Sequence, residues 1–381
     1  MCGLVNSLVF QTGDTHVDAG DRRSNMAVLS WMVGQAIEQQ AAVFVHAGDA
    51  FADGRPSQEA WLGFYQQMCR LVAARIPLVL LEGNHERIGV PASQRTATAV
   101  LGEALSGLPS AEVFFAEGQP QLFNTSTGIQ VAAFPWLSRT ADLYDGLDLR
   151  QADAQASVLL EGLMGEMAGR ADGGMPLVLA SHVSVVGGRA GSEDDLGASR
   201  FHEPIVHADM ISQAGYNFAG LAHLHTRQHW GDTVWFSGSP NRLTFADADM
   251  PKSVNVAQFD GSQLVGVEQL LTPARPMTSI DLTQPQTDFS QILPDALVRL
   301  VLPPGDVDVP QWAIDRVEQA GGQVASVKKR PPAIETVARL SLPERIRPQE
   351  ALTAWLNREN VPVEDQPRLL ALADQLLHTT G

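Results

Sequence analysis

The stretch LVLLEGNHE, residues 78–86, follows Pro77 as an unbroken apolar run and stops at Gly83-Asn84-His85-Glu86. A short apolar run closed by a Gly-Asn turn reads as a central strand of a sheet covered on both faces. Such a strand delivers an amide and an imidazole to its carboxyl end, the rim on which open α/β sheets bind ligands. Asn84 offers an oxygen ligand or a hydrogen bond, and His85 a metal ligand or a proton.

Upstream, the chain repeats the device. Residues 4–12, LVNSLVFQT, read as a strand ending in Gly13-Asp14-Thr15-His16, and residues 41–49, AAVFVHAGD, as a strand ending in Gly48-Asp49. Met26, Leu29, Met32, Val33, Ala36 and Ile37 recur at helical spacing between them, with Ser24 as the expected N-cap. Trp61, Leu62, Tyr65, Met68, Leu71 and Val72 mark a second helix. Strand, helix, strand, helix, strand is a pair of right-handed βαβ units. Asp14, Asp49 and Asn84 are each separated by 35 residues, so every unit returns an oxygen donor to one rim.

Downstream comes a polar insertion, residues 87–110, with a short helical pattern over Ala97 to Leu105. Short strands are expected at 111–116, 121–124 and 129–134, a helix at 151–168, and a strand at 175–182 that ends on His182. The Gly-, Ser- and acid-rich stretch 186–203 reads as a mobile lid. Residues 216–225 end a further strand with His223 and His225, and 234–240 and 253–259 close the domain. After a boundary at 273–277, strand, helix and strands including TVARLSL (336–342) describe a small α+β unit, and 348–378 carries two helix patterns.

Composition narrows the function classes. With 381 residues, 44% hydrophobic and 18% charged, the chain can bury a substantial core in two or three domains. The start MCGLVNSLVF is too short for a signal peptide and no run approaches membrane-spanning length, so the expectation is a cytoplasmic protein with no membrane partner. Cys2 and Cys69 offer neither a disulfide framework nor zinc-finger spacing. A net charge of −17 argues against a simple electrostatic nucleic-acid binder. It leaves room for a nuclease whose bound cations supply positive charge locally.

Together the strand ends carry Asp14, His16, Asp49, Asn84, His85, His182, His223 and His225. In an extended segment, alternation puts Asp14 with His16, and His223 with His225, on one side, where a single cation reaches both. Carboxylate, imidazole and amide suit borderline ions such as Mn²⁺, Fe²⁺ or Zn²⁺ better than Ca²⁺. Seven ligands with one bridging carboxylate describe a two-metal site that clamps a phosphoryl group. His46, His202, His207, His229 and His378 read as satisfied polar groups outside the chemistry.

In order and spacing, GDTH (13–16), GD (48–49), GNHE (83–86), SH (181–182) and HLH (223–225) resemble the five motifs of the calcineurin-like metallophosphoesterases. Within that superfamily, GDAFADGRPS (48–57), VAAFPWLSR (131–139), FSGSPNRLTF (236–245) and PQEALTAWLN (348–357) resemble the SbcD-type nucleases, which pair with the coiled-coil ATPase SbcC. The resemblance implies an α/β fold: a four-layer α/β/β/α sandwich over residues 1–274, a small α+β capping domain over 275–345, and C-terminal helices over 346–381 that dock the ATPase. It also implies two divalent ions, Mn²⁺ by preference with Fe²⁺, Zn²⁺ or Mg²⁺ as alternatives. Asp14, His16 and His225 would hold one, Asn84, His182 and His223 the other, and Asp49 would bridge them. His85 would stand by the scissile phosphate and protonate the leaving oxygen or stabilise charge, with Glu86 orienting it. Arg22, Arg55 and Arg87, which follow ligand motifs, would contact substrate phosphate.

The implied activity is manganese-dependent exonuclease action on DNA double-strand ends and endonuclease action on single strands, with an SbcC-like ATPase as partner and a homodimer as a further expectation. The chain departs from the family at Ala222, where Gly is usual, and at Ala52, where some relatives carry a phosphate-contacting His. The alternatives are a phosphoesterase acting on a nucleotide or other small phosphodiester, and a non-catalytic DNA-end or ATPase adaptor.

Overall fold

The computed structural model describes residues 7–91, 93–137, 149–189, 204–284, 287–305, 308–330, 352–353, 355–356 and 366–371. The chain divides into two compact units, Met1–Leu302 with Val307–Lys328, and Pro303–Asp306 with Lys329–Gly381. The elements named below belong to the first, save the final residue of the last strand.

Three βα units open the chain. Strand β1 (Ser7–Thr12) leads to α1 (Arg22–Glu38), β2 (Val43–His46) to α2 (Gln58–Ala73), and β3 (Leu78–Leu81) to α3 (Ala97–Ser106), followed by β4 (Val113–Ala116). The four strands lie parallel and side by side in chain order. Their apolar runs are continuous because both faces are covered. Phe10, Phe44, Leu78 and Leu80 pack against Met32, Phe64 and Leu71 of the helices. Val9, Val43, Val45, Val79 and Leu81 point the other way, onto a second sheet.

That sheet is built from β5 (Gln121–Asn124), β6 (Gln130–Phe134), α4 (Leu149–Gly169), β7 (Leu177–His182), the short pair β8 (Ser184–Val185) and β9 (Ile205–Val206), α5 (Ala208–Gln213), β10 (Phe218–Ala222), β11 (Gln228–Trp230) and β12 (Val234–Phe236). Its six strands run β11-β12-β10-β7-β6-β5. Val131, Ala133, Val178, Ala180 and Phe218 meet the first sheet, while Phe134, Leu179 and Leu221 pack outward with Leu160, Met164 and Ile211. The architecture is thus an α/β/β/α sandwich. β13 (Ser253–Asp260) and β14 (Gln263–Leu271) return antiparallel to complete the first sheet. Beyond them, β15 (Met277–Asp281), β16 (Leu297–Leu302), α6 (Gln311–Gln319) and β17 (Gln323–Lys329) form a three-stranded unit around Ile280, Val298, Leu300, Ala313 and Val317.

One helix start differs from expectation. The N-cap of α1 is Asp21, whose carboxylate accepts the Ser24 N–H at 3.3 Å, and Ser24 lies within the first turn. The expected lid falls at 190–203 outside the described residues, as does the strand over 336–342. Of the C-terminal helix patterns, 352–353, 355–356 and 366–371 are described and helical. Among the described residues no helix is long and apolar enough to cross a membrane.

His46 ends β2 fully buried, as a packed rather than a reactive group. Its Nε2 lies 3.0 Å from the Thr15 hydroxyl, which itself donates to the Ala50 carbonyl at 3.2 Å, so the neutral ring is the donor of the pair. Phe64 meets the ring edge-on, with centroids 5.3 Å apart. Burial, the dominant cause, pushes the imidazole pKa down to about 3. The unfolded chain binds a proton near pH 6.5 that the folded chain refuses, so this contribution to stability is complete above that pH and is lost as pH falls toward about 3. Between pH 7 and pH 5, urea unfolding of the wild type should lose roughly 2 kcal/mol more than that of a His46→Gln variant. Equal losses would contradict the assignment.

Candidate metal centre

The carboxyl ends of β1, β2 and β3 share a rim with those of β7 and β10, and the loops beyond them are tied together by backbone. Asp14 N–H donates to Gly48 O at 3.0 Å and His16 N–H to Asp49 O at 3.2 Å. Across the two sheets, His223 N–H donates to both Asp14 carboxylate oxygens at 3.0 Å.

The seven side chains expected as ligands meet at this rim. Asp49 Oδ2 stands 3.4 Å from His182 Nε2, 3.7 Å from His16 Nε2 and 4.0 Å from His85 Nε2. On one side, Asn84 Oδ1 lies 2.9 Å from His182 Nε2 and 3.0 Å from His223 Nδ1. On the other, His16 Nε2 and His225 Nε2 are 3.3 Å apart, and the ligand atoms of Asp14, His16 and His225 all lie within 4.8 Å of one another. The same closeness holds for Asp14, Asp49 and His182, and for His16, Asp49 and His85.

A single segment orients three of the imidazoles. Nδ1 of His182 donates to Ala47 O at 2.8 Å, Nδ1 of His16 to Phe51 O at 3.2 Å, and Nδ1 of His85 to Ala52 O at 2.8 Å. A carbonyl only accepts, so each Nδ1 carries its hydrogen and each Nε2 is turned inward for a cation or a proton. Ala52 in turn donates its N–H to the Asp18 carboxylate at 2.7 Å.

The extended alternation expected for Asp14-Thr15-His16 and His223-Leu224-His225 is not what aims these side chains. Asp14, His16, Asp49 and His223 have φ of 50°, 38°, 54° and 98°, in the left-handed region, with β1 already ended at Thr12. Turns, not strand pleat, bring the donors together. Each such residue costs on the order of 1 kcal/mol, and strain of this kind collects at functional sites.

Asp14 and Asp49 are fully buried and close to each other, and the opposite charges available to them are imidazoles. Burial pushes the Asp14 pKa up. Burial would also raise that of Asp49, but His182, His85 and His16 hold it well below the usual carboxylate range. His182, which burial alone would lower, is pushed up to about 9 by Asp49. Two buried carboxylates, an amide oxygen and inward-turned Nε2 atoms form a donor set that divalent cations satisfy more completely than protons do.

Glu86 corrects an expectation. Its carboxylate does not reach the His85 ring, which Ala52 orients; it accepts the N–H groups of Asp49 at 3.1 Å, Ala50 at 2.6 Å and Gly83 at 2.8 Å, and the Thr98 hydroxyl at 3.3 Å. Burial first, then the Asp49 charge, push its pKa up to about 8. The arginines have partners elsewhere: Arg22 holds Ser57 and Glu59, Arg55 the Gly89 carbonyl, and Arg87 both Glu82 and Glu117.

Sequence reasoning passed over several supports. Asn25 Nδ2 donates to His16 O at 3.0 Å, and Asn241 Nδ2 donates to Asn25 Oδ1 at 2.6 Å. Buried Lys252 pairs with Asp247 at 3.0 Å and bonds Ser239 at 2.7 Å. Trp136 lies against His223, with ring centroids 5.1 Å apart.

Residues 8–209 match the family model for calcineurin-like phosphoesterases. Over 282 residues, 70% of this chain and 68% of the other, the protein is 22% identical to the SbcD component of the SbcCD nuclease of Escherichia coli (strain K12). A shorter stretch of 84 residues, 20% of this chain and 19% of the other, is 34% identical to the DNA double-strand break repair protein Mre11 of Haloferax volcanii. Among solved structures, a dimetal phosphatase from Danio rerio is similar at 12% identity and a TM-score of 0.39, over 71% of this chain and 99% of that one.

Above about pH 8, where Glu86 is a carboxylate accepting three backbone N–H groups, Glu86→Gln sets an NH₂ against N–H donors. It should cost about 2–4 kcal/mol in urea unfolding of the metal-free protein. A change within about 0.5 kcal/mol would show that the clamp carries no weight.

Proposed function

Because the chain belongs to the calcineurin-like phosphoesterase family, and is therefore a metal-dependent phosphoester hydrolase, we propose that it is a manganese-dependent DNA nuclease of the SbcD type, working with an SbcC-like coiled-coil ATPase. The observation that carries the reading is the shared centre: Asp49 Oδ2 lies 3.4 Å from His182 and 3.7 Å from His16, one imidazole from each of the two donor sets. In this reading Asp14, His16 and His225 would hold one ion and Asn84, His182 and His223 the other, with Asp49 available to both. When bound, two such ions supply Lewis acidity and positive charge to a phosphoryl group and to a water.

The chain's own residues supply position and a proton. Ala52 O fixes the His85 Nδ1 hydrogen at 2.8 Å, which leaves Nε2, on a side chain 32% exposed, to carry a proton to the leaving oxygen. Glu86 keeps the Asp49 and Gly83 turns in register beneath it. Arg22 and Arg55, with exposed guanidinium groups, are the candidates for substrate phosphate; Arg87 is the weaker one, since two carboxylates already neutralise it. Residues 1–274 would form the nuclease body, 275–345 a cap that orients DNA, and 346–381 the docking helices.

The net charge of −17 favours one rival, a phosphoesterase for a nucleotide or other small phosphodiester, since DNA binders gain affinity from basic surface. With Mn²⁺, the purified protein should degrade linear duplex DNA faster than it hydrolyses bis(p-nitrophenyl) phosphate, and Asp49→Asn should lower both rates by about 100-fold or more. Hydrolysis of the small diester alone would replace the nuclease reading with the rival. Deleting residues 346–381 should abolish co-purification with a co-expressed SbcC-like ATPase while sparing the small-diester rate, and retained co-purification would remove the docking assignment.

A further inference from the structure

Trp136 packs into none of the four apolar clusters of the described residues, although the adjacent Leu137 packs on the core beneath the second sheet. β6 ends at Phe134, and Trp136 N–H donates to Glu82 O at 2.8 Å, which pins the residue beside the loop that carries Asn84. The residue is partly exposed. The ring lies 5.1 Å from His223 with planes 37° apart, and 6.1 Å from His182 at 79°. His85 lies beside the other donor set, 4.7 Å from the His16 ring.

A phosphoryl group at the Asp49 centre therefore has an imidazole beside one donor set and an indole beside the other. Phosphate oxygens gain little from an indole face; of the whole ring, the single Nε1–H is the group that suits them. A flat π-system attached through a sugar does gain from it, because every nucleobase can stack on an aromatic ring whatever its sequence. We propose that Trp136 is a specificity-determining residue: its indole stacks on the base of the nucleotide whose phosphate sits at the Asp49 centre. The site then prefers nucleoside phosphates to phosphoesters that lack a base, without preferring one base over another. This rests on the phosphodiesterase reading above.

The test is calorimetric binding of thymidine 5′-monophosphate and of 2-deoxyribose 5-phosphate to the manganese-loaded protein, two ligands that differ only in the base. The wild type should bind the nucleotide about tenfold more tightly. Trp136→Leu should bring the ratio to about one by weakening only the nucleotide, and Trp136→Phe should keep most of the preference. A wild-type ratio near one would overturn the proposal. So would equal weakening of both ligands in Trp136→Leu, which would make the indole a buttress for His223 alone. Hydrolysis of methyl p-nitrophenyl phosphate reports separately on the phosphodiesterase reading: its absence in the wild type removes that reading, while the binding ratio still decides the role of Trp136.

Discussion

Asp14 and Asp49 are shut away from water and close to each other where strands of both sheets end, and the opposite charges available to them are imidazoles. A carboxylate in that setting costs several kcal/mol unless it is paired and hydrogen-bonded. Much of the local structure answers that demand. Backbone N–H of His223 caps Asp14 and that of His85 caps Asp49. Three carbonyls between Ala47 and Ala52 turn Nε2 atoms toward the same point. Ligands held by such hydrogen bonds are preorganised and lose little freedom on binding a cation.

Close approach of backbone makes this possible. A side chain at Gly83 would run into the Asp49 carboxylate, and one at Gly48, whose φ is +99°, would meet the His182 ring. These glycines are required by packing across the rim rather than by flexibility. Glu86 then locks the two turns to each other through backbone N–H groups on both. A third buried carboxyl so near Asp49 is costly, which is why its pKa is driven up to about 8.

The sandwich was readable where burial leaves one choice. Apolar runs at Phe10, Phe44 and Leu78–Leu81, each stopped by a glycine and a polar residue, announce central strands and their common rim. Asp21 and Ser24 both satisfy the rule for an N-cap, and only the turn around Gly20, with φ +46°, decides between them. The left-handed backbone at Asp14, His16 and His223 had no local signal, because it follows from hydrogen bonds to distant loops. β14 alternates with modest hydrophobicity, yet Gly261-Ser262, with φ +61° at the glycine, is a two-residue hairpin turn that could have revealed it. The Glu86 clamp and the Trp136 contact lay beyond reach, since both join residues through three-dimensional neighbours that spacing does not encode.

The central claim is that the side chains around Asp49 form one centre for two cations rather than two unrelated polar clusters. Electron paramagnetic resonance of the protein titrated with Mn²⁺ tests it without reference to substrate. The account predicts two ions bound per chain with an exchange-coupled spectrum, because a single carboxylate touches both. One isolated ion per chain, or ions that bind without coupling, would contradict it.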